Sequence, residues 1–360
     1  MHNDELMKTP RLGFGMMRLP KKGLRFDESQ VRAMVDAFME AGFTYFDTAY
    51  VYPGSEKATR KALVERYSRE AFTLASKMYA LPGMPEAAVK REFRVSLRQA
   101  GVDFFDYYLL HSLMDNNYRK YEKQKLWEFA MEEKAKGKIR HVGFSYHDGP
   151  ELLDQILTHH PETEFVQLQL NYLDWEDPKV CSRANYEVAR EHDVPIVVME
   201  PVKGGKLADP PEEVRRLMLE ADNRASYASW AIRFVAALPG VMTVLSGMST
   251  LKQVEDNVAY MKGFRTLSPE EEQVIHRARE IMTGMGEIPC TDCRYCLKGC
   301  PRNIPIPEIF ASVNKSGCTP AQARRAAECV ECGACEAACP QHIGIIEELK
   351  KCAGTGGEAR

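Results

Sequence analysis

The sequence predicts a (β/α)8 barrel followed by a small, cysteine-rich α + β module. Three observations carry that prediction. Eight short runs rich in β-branched and aromatic residues lie between Arg11 and about Met261, and amphipathic helical stretches separate them. Of eleven cysteines, only Cys181 precedes Gly286, and ten lie beyond it. With 360 residues, 44% hydrophobic and 28% charged, and a formal charge of −3, the chain has the composition of a soluble globular protein of one large or two ordinary domains. A near-neutral balance and a pI of about 6.3 leave no basic footprint for nucleic acid. The least polar stretch, 230–248, is interrupted by Arg233, Pro239 and Gly240, so no membrane span is expected. The opening MHNDELMKTPRLG has neither an apolar core nor a cleavage site, and the expected location is the cytoplasm, where thiols stay reduced.

The runs are RLGFGMM (11–17), FTYFD (43–47), FTLASK (72–77), FFDYYLLH (104–111), IRHVGFS (139–145), FVQLQLN (165–171), PIVVMEP (195–201) and VMTVLSG (241–247). Each is too short for a helix. Helical patterns fill the gaps at 29–42, 85–101, 122–137 and 250–263, and Gly42, Gly101, Gly137 and Gly263 sit where a left-handed residue closes a last turn. Eight βα units in about 250 residues is the count of a TIM barrel. A doubly wound open sheet is the alternative, but no G-x-G-x-x-G opens a helix after the first strand. A further helix, 268–282, starts on Ser-Pro with an acidic first turn. TGMGEIP (283–289) then breaks the pattern, so the expected division is 1–284 for the barrel and 285–360 for the module.

The module contains Cys290-x2-Cys293-x2-Cys296-x3-Cys300-Pro and, 39 residues later, Cys329-x2-Cys332-x2-Cys335-x3-Cys339-Pro. This is the ligand run of bacterial ferredoxins carrying two [4Fe–4S] clusters, in which the fourth cysteine crosses to the other cluster. Three closely spaced thiolates hold three irons of a cubane, and the fourth iron takes its ligand from elsewhere. The expected partition is Cys290, Cys293, Cys296 and Cys339 for one cluster and Cys329, Cys332, Cys335 and Cys300 for the other. A pair of zinc sites is the alternative that C-x2-C spacing allows, and two full runs ending in Cys-Pro argue against it. Cys181, Cys318 and Cys352 are left over and read as structural or incidental thiols.

In a barrel of this kind the chemistry gathers at the carboxyl ends of the strands. Three consecutive runs end in polar groups: Asp47, with Tyr50 and Tyr52 just beyond it, then Lys77, then His111. Singly, each has a dull explanation as a loop cap, a rim lysine or a partly buried histidine. Together they suit one reaction. An ammonium beside a phenol lowers its pKa, an aspartate keeps the lysine charged, and a histidine orients a carbonyl oxygen.

The segments F-D47-T-A-Y-V-Y52-P-G-S-E, A-S-K77, L-L-H111, G-F-S145 and V-Q167-L-Q-L-N171-Y resemble the aldo-keto reductases over about residues 10–262. The resemblance implies a tetrad of Asp47, Tyr52, Lys77 and His111. It also implies a nicotinamide cofactor lying across the barrel mouth, and hydride transfer to or from a small carbonyl or alcohol. Ser145 and Gln167 resemble the pair that holds the carboxamide. Glu200, Pro201, Val202, Lys203 and Gly205 resemble the pyrophosphate loop, and Met16 approaches the cofactor from the first strand. Asp47 is shared between the catalytic and cofactor sets. At the adenine end the family's NADPH-gripping Lys and Arg fall on Gly247 and Gln253, within a segment that also holds Ser249, Asp256 and Asn257. Losing two cations weakens a grip on the 2′-phosphate, so NADH is expected to be accepted beside NADP(H).

The whole chain resembles the subgroup with a C-terminal two-cluster ferredoxin-like domain. A nicotinamide moves electron pairs and a cluster single electrons, so three readings stand: a carbonyl reductase whose clusters are structural or relay electrons, an electron-transfer protein whose barrel is a docking module, and a single-electron reductive enzyme. Substrate choice is expected to lie in loops such as 114–118 and around Trp175. Each oxidised cubane with four thiolates adds about −2, taking the formal charge of −3 to about −7, so a redox partner would present a basic face.

Overall fold

A computed structural model describes residues 5–80 and 83–355. Eight strands close a barrel: β1 (Leu12–Gly15), β2 (Tyr45–Asp47), β3 (Thr73–Met78), β4 (Phe105–Leu113), β5 (Ile139–Tyr146), β6 (Phe165–Gln169), β7 (Ile196–Met199) and β8 (Val241–Ser246). Each pairs in parallel with its sequence neighbours, and β8 pairs with β1. All eight coincide with the runs read from the sequence. The outer ring includes α1 (Glu28–Glu40), α2 (Ser55–Thr59), α3 (Glu86–Ala100), α4 (Asp115–Lys123), α5 (Leu126–Ala135), α6 (Pro150–His159), α7 (Ser182–Glu191), α8 (Glu212–Ala221), α9 (Tyr227–Ala236), α10 (Leu251–Lys262) and α11 (Pro269–Gly284).

Two local expectations change. The pattern at 122–137 is cut at Gln124 and Lys125, where Lys125 takes φ 47, so α4 and α5 are separate helices. Gly42, Gly101 and Gly137 are left-handed as expected, but Gly263 has φ −100 and closes α10 without that turn.

Tyr45, Ala75, Tyr107, Leu109, Phe165, Val197 and Leu245 fill the barrel as one buried cluster. A Cβ on Gly143 would lie 2.3 Å from the Phe165 carbonyl oxygen, so only glycine lets β5 and β6 approach there.

The last 70 or so described residues form α12 (Tyr295–Lys298), α13 (Ile306–Ser316), α14 (Pro320–Ala326), α15 (Ala334–Ala337) and α16 (Ile345–Thr355). Ile304, Ile306, Ile309, Phe310, Ile343, Ile345 and Leu349 make their common core. Of the α + β make-up expected for this module, helices are what the described residues show. Among those residues no helix is long and apolar enough to cross a membrane.

Candidate functional site

The barrel's tilt brings the polar strand ends to one height. Asp47 ends β2 opposite Ala75, Lys77 stands two residues further along β3 opposite Leu109, and His111 stands two further along β4. A stagger of this kind keeps residues of tilted strands level on the inner face. Pairing of β4 with β5 shifts between Leu110 and Leu113, and Ser112 takes φ 58. The Ser112 amide donates to Ser145 Oγ at 2.7 Å, so Ser145 holds the irregular turn just after His111.

Lys77 is fully buried and its ammonium donates to Asp47 Oδ1 and, at 3.0 Å, to the Thr48 carbonyl. Burial pushes Lys77 down and Asp47 up, and their pairing opposes both shifts. Gln167 Nε2 donates to Asp47 Oδ2 at 3.4 Å. Tyr52 stands over this pair, with the Lys77 ammonium 5.2 Å from its ring centroid and the His111 ring edge-on at 5.7 Å. Burial first, then Tyr295 and Asp47, raise the Tyr52 phenol well above its ordinary value. The sequence reasoning had the lysine lowering it; here Asp47 and Thr48 take the ammonium's hydrogen bonds. Burial, Lys77 and His147 push His111 well below 6.5, leaving a neutral imidazole at pH 7.

A cavity of ≈ 300 Å³ opens above these groups, at the low end of the roughly 300–1,000 Å³ of ligand pockets. Asp47, Tyr52, His111, Gln167, Glu200, Pro201, Val202, Gly205, Gly247, Ser249, Gln253 and Asn257 line it. Lys77 lies buried beneath it, and four of the cofactor candidates do not line it. Met16 is buried in the core, and the next residue, Met17, faces the cavity instead. Lys203 is buried in an ion pair with Asp174, Ser145 is engaged by Ser112, and Asp256 accepts from Ser226 Oγ at 2.8 Å. Gln253 Oε1 caps the start of α10, accepting from the Ser249 amide at 2.7 Å. Glu200, with φ 54, accepts from the Gly204 amide at 2.6 Å and tightens the loop after β7.

The module sits on the barrel mouth. Arg18 donates to the Thr291 carbonyl at 2.6 Å, Asn116 to the Ala337 carbonyl at 2.9 Å, and Gln341 and Gln169 exchange amide hydrogen bonds at 2.8 and 3.0 Å. A Cβ on Gly204 would lie 2.7 Å from the Thr291 carbonyl oxygen, so the loop after β7 touches the module backbone. Thr291, Cys293, Tyr295, Pro340 and Gln341 thus line the same cavity as Tyr52. Trp175 packs on Phe234 and Tyr186 instead, and neither it nor 114–118 lines the cavity.

Cys290, Cys293, Cys296 and Cys339 surround a second small cavity walled by Ile306, Phe310, Ile343 and Ile345. Among the described residues no three His, Cys, Asp or Glu side chains converge as a single ion would require. Four thiols around a common apolar space suit a cubane better than a tetrahedral zinc. Burial pushes the Cys293 and Cys296 thiols up to about 12, with the neighbouring cysteines adding to the shift. Cys300 Sγ accepts from the Ile304 amide at 3.4 Å. The two spare late thiols are not separate: Cys318 and Cys352 are bonded to each other, with Cα atoms 5.5 Å apart, and tie the start of α14 to α16.

Residues 11–280 match the aldo/keto reductase family model, and 289–343 match that of a 4Fe-4S dicluster domain. The chain belongs to the aldo-keto reductase family. Among solved structures it is similar to the holo form of an aldo-keto reductase from Bacillus halodurans, 27% identical with a TM-score of 0.61, covering 74% of this chain and 91% of that one. It is also similar to an aldo-keto reductase from Klebsiella pneumoniae in complex with NADPH, 23% identical with a TM-score of 0.60, covering 75% of this chain and 90% of that one. No curated protein matches it. In this aldo-keto reductase the contributions the sequence reading missed are Met17, Arg18, His147 and the module's Thr291, Tyr295 and Gln341. Only Met17 had a local signal, its place beside Met16 at the end of the first run.

Proposed function

We propose that the chain is a nicotinamide-dependent oxidoreductase that interconverts a small carbonyl compound and its alcohol. The observation that carries the reading is the convergence of Asp47, Tyr52, His111 and Gln167 on one cavity, with Lys77 buried beneath them. When bound, the nicotinamide supplies or accepts the hydride at the carbonyl carbon. Tyr52, kept protonated by its surroundings, gives its proton to the carbonyl oxygen. His111, neutral, donates a hydrogen bond that orients that oxygen, and the Asp47–Lys77 pair fixes the floor on which Tyr52 stands. Gln167 would hold the carboxamide of a bound nicotinamide, and Glu200, Pro201, Val202 and Gly205 would hold its diphosphate. The Klebsiella neighbour in complex with NADPH supports a dinucleotide here.

Gly247 and Gln253 supply no cation for a 2′-phosphate, so NADH is accepted as well as NADPH. Dissociation constants for the two, measured by fluorescence, test this; NADPH binding about a hundredfold tighter than NADH, the worth of two charge-assisted contacts, would overturn it. Replacing Tyr52 by Phe is expected to cut aldehyde reduction by about 10²–10⁴-fold while iron content and cluster absorbance stay as in the wild type.

The chain divides, in this reading, into a barrel over 1–284 and a module over 285–360 carrying two [4Fe–4S] clusters. Cys290, Cys293, Cys296 and Cys339 hold the proximal cluster, and Cys329, Cys332, Cys335 and Cys300 the distal one. One observation favours a relay role beside the structural one: Cys293 lines the cavity that Tyr52 lines, which puts the proximal site next to the reacting groups. A redox partner for the distal cluster would bring a basic face to a module made acidic by its clusters.

A further inference from the structure

The cavity reaches beyond the reacting groups, and its far wall is shared between the two modules. Tyr295 lies between Cys293 and Cys296 on the cluster-binding loop and faces Tyr52, within hydrogen-bonding reach of its phenol. On the barrel side His147 follows β5 and also lines the cavity. His342 Nε2 meets the His147 carbonyl at 2.8 Å, which seats this residue against the module. The His147 Nδ1 atom is buried without a hydrogen-bond partner, and buried polar atoms in this position call for one. His147 lies close enough to His111 to disfavour its charge, and Tyr79 packs edge-on to His111 at 5.7 Å. The reacting oxygen therefore has polar groups beyond it that the transfer of a hydride and a proton does not use.

We propose that Tyr295 and His147 form a second hydrogen-bonding subsite, built jointly by the cluster-binding loop and the barrel, for a hydroxyl on the carbon next to the substrate carbonyl. This rests on the carbonyl-reduction reading above. A hydroxyl both donates and accepts, so it satisfies an imidazole nitrogen and a phenol together. Burial holds His147 down to about 3, so the ring is uncharged at neutral pH and offers no attraction to a carboxylate. The one guanidinium lining the cavity among the described residues, that of Arg18, is turned to the Thr291 carbonyl. The clusters' structural contribution then becomes specific: the loop that holds iron also presents a residue to substrate.

The test uses the full chain with both clusters loaded and compares glyceraldehyde with propanal, which lacks the hydroxyls. In the wild type kcat/KM favours glyceraldehyde. Tyr295→Phe lowers the ratio of the two kcat/KM values about tenfold, the worth of one hydrogen bond to a neutral group, chiefly through KM for glyceraldehyde. Calorimetric titration of glyceraldehyde into the NADP+ complex, where no hydride is available, gives a dissociation constant raised to a similar extent. If Tyr295→Phe disturbs the cluster absorbance, His147→Gln, which lies off the ligand loop, carries the same comparison. An unchanged ratio and an unchanged dissociation constant overturn the subsite. A wild type that reduces neither aldehyde with either nucleotide overturns the carbonyl reading itself, so the two failures are distinguishable.

Discussion

The two cysteine runs of the module are copies of one motif placed in different surroundings. Asp292, Arg294 and Asn303 take left-handed φ in the first copy, and Glu331, Gly333 and His342 take it at the matching positions of the second. The short helices α12 and α15 also correspond. The residues between the cysteines do not. Thr291 is 3% exposed and Tyr295 faces Tyr52 in the first copy, where the second has Val330, 48% exposed, and Ala334. Cys293 borders the reaction cavity, while Cys332 is exposed. The shared backbone answers to the geometry of the ligand set. The intervening side chains answer to what each loop faces, barrel mouth in one case and solvent in the other.

That contrast can be broken directly. Cys293→Ser and Cys332→Ser are each expected to lose the iron of one cluster, but only the first to lose carbonyl reduction, by about a hundredfold through displacement of the cavity wall. Equal activity losses at equal iron content would remove the distinction between the copies. A second effect, on stability rather than on rate, is expected at the seam between barrel and module. Asp174→Asn leaves Lys203 buried without its ion-pair partner and should cost about 3–5 kcal/mol in denaturant unfolding. The seam then loosens on the side where Lys203 Nζ also reaches Gln341 Oε1 at 3.2 Å.

The mildest effect is on pH dependence. Burial raises Tyr52 and lowers His111, so the active forms for reduction, a protonated phenol and a neutral imidazole, persist together across neutral pH. Reduction rates at saturation should be flat from about pH 6 to 9, whereas alcohol oxidation, which needs the phenolate, should rise with pH over that range. A limb in the reduction profile near pH 7 would place a titrating group in the cavity that these shifts exclude.

The sequence disclosed what repeats locally. Eight strands, Asp47, Lys77 and His111 at strand ends, and both cysteine runs follow from periodicity and spacing, because each is set by residues a few positions apart. The cofactor contact expected at Met16 falls on Met17 because run-end polarity does not reveal the single 3-10 turn that follows β1. Lys203 was expected at the pyrophosphate loop, and its ion pair was not legible because its partner, Asp174, lies a full βα unit earlier. The roof was invisible for a similar reason. Thr291, Tyr295 and Gln341 meet barrel residues far from them in the chain, and no periodicity records such a meeting. Cys318 and Cys352 read as unrelated spares because a separation of 34 residues says nothing about proximity.

Arg18 and Thr291 are 273 positions apart, and a hydrogen bond joins them at the wall of the cavity they both line. Translation therefore delivers one wall of the chamber well before the other. A chain halted just before Thr291 already carries all eight strands, with Asp47, Tyr52, Lys77 and His111 in place, yet lacks the roof. Closing contacts of such long sequence separation form after local ones. The chamber is thus finished by chain that follows the barrel, and connectivity alone fixes that order.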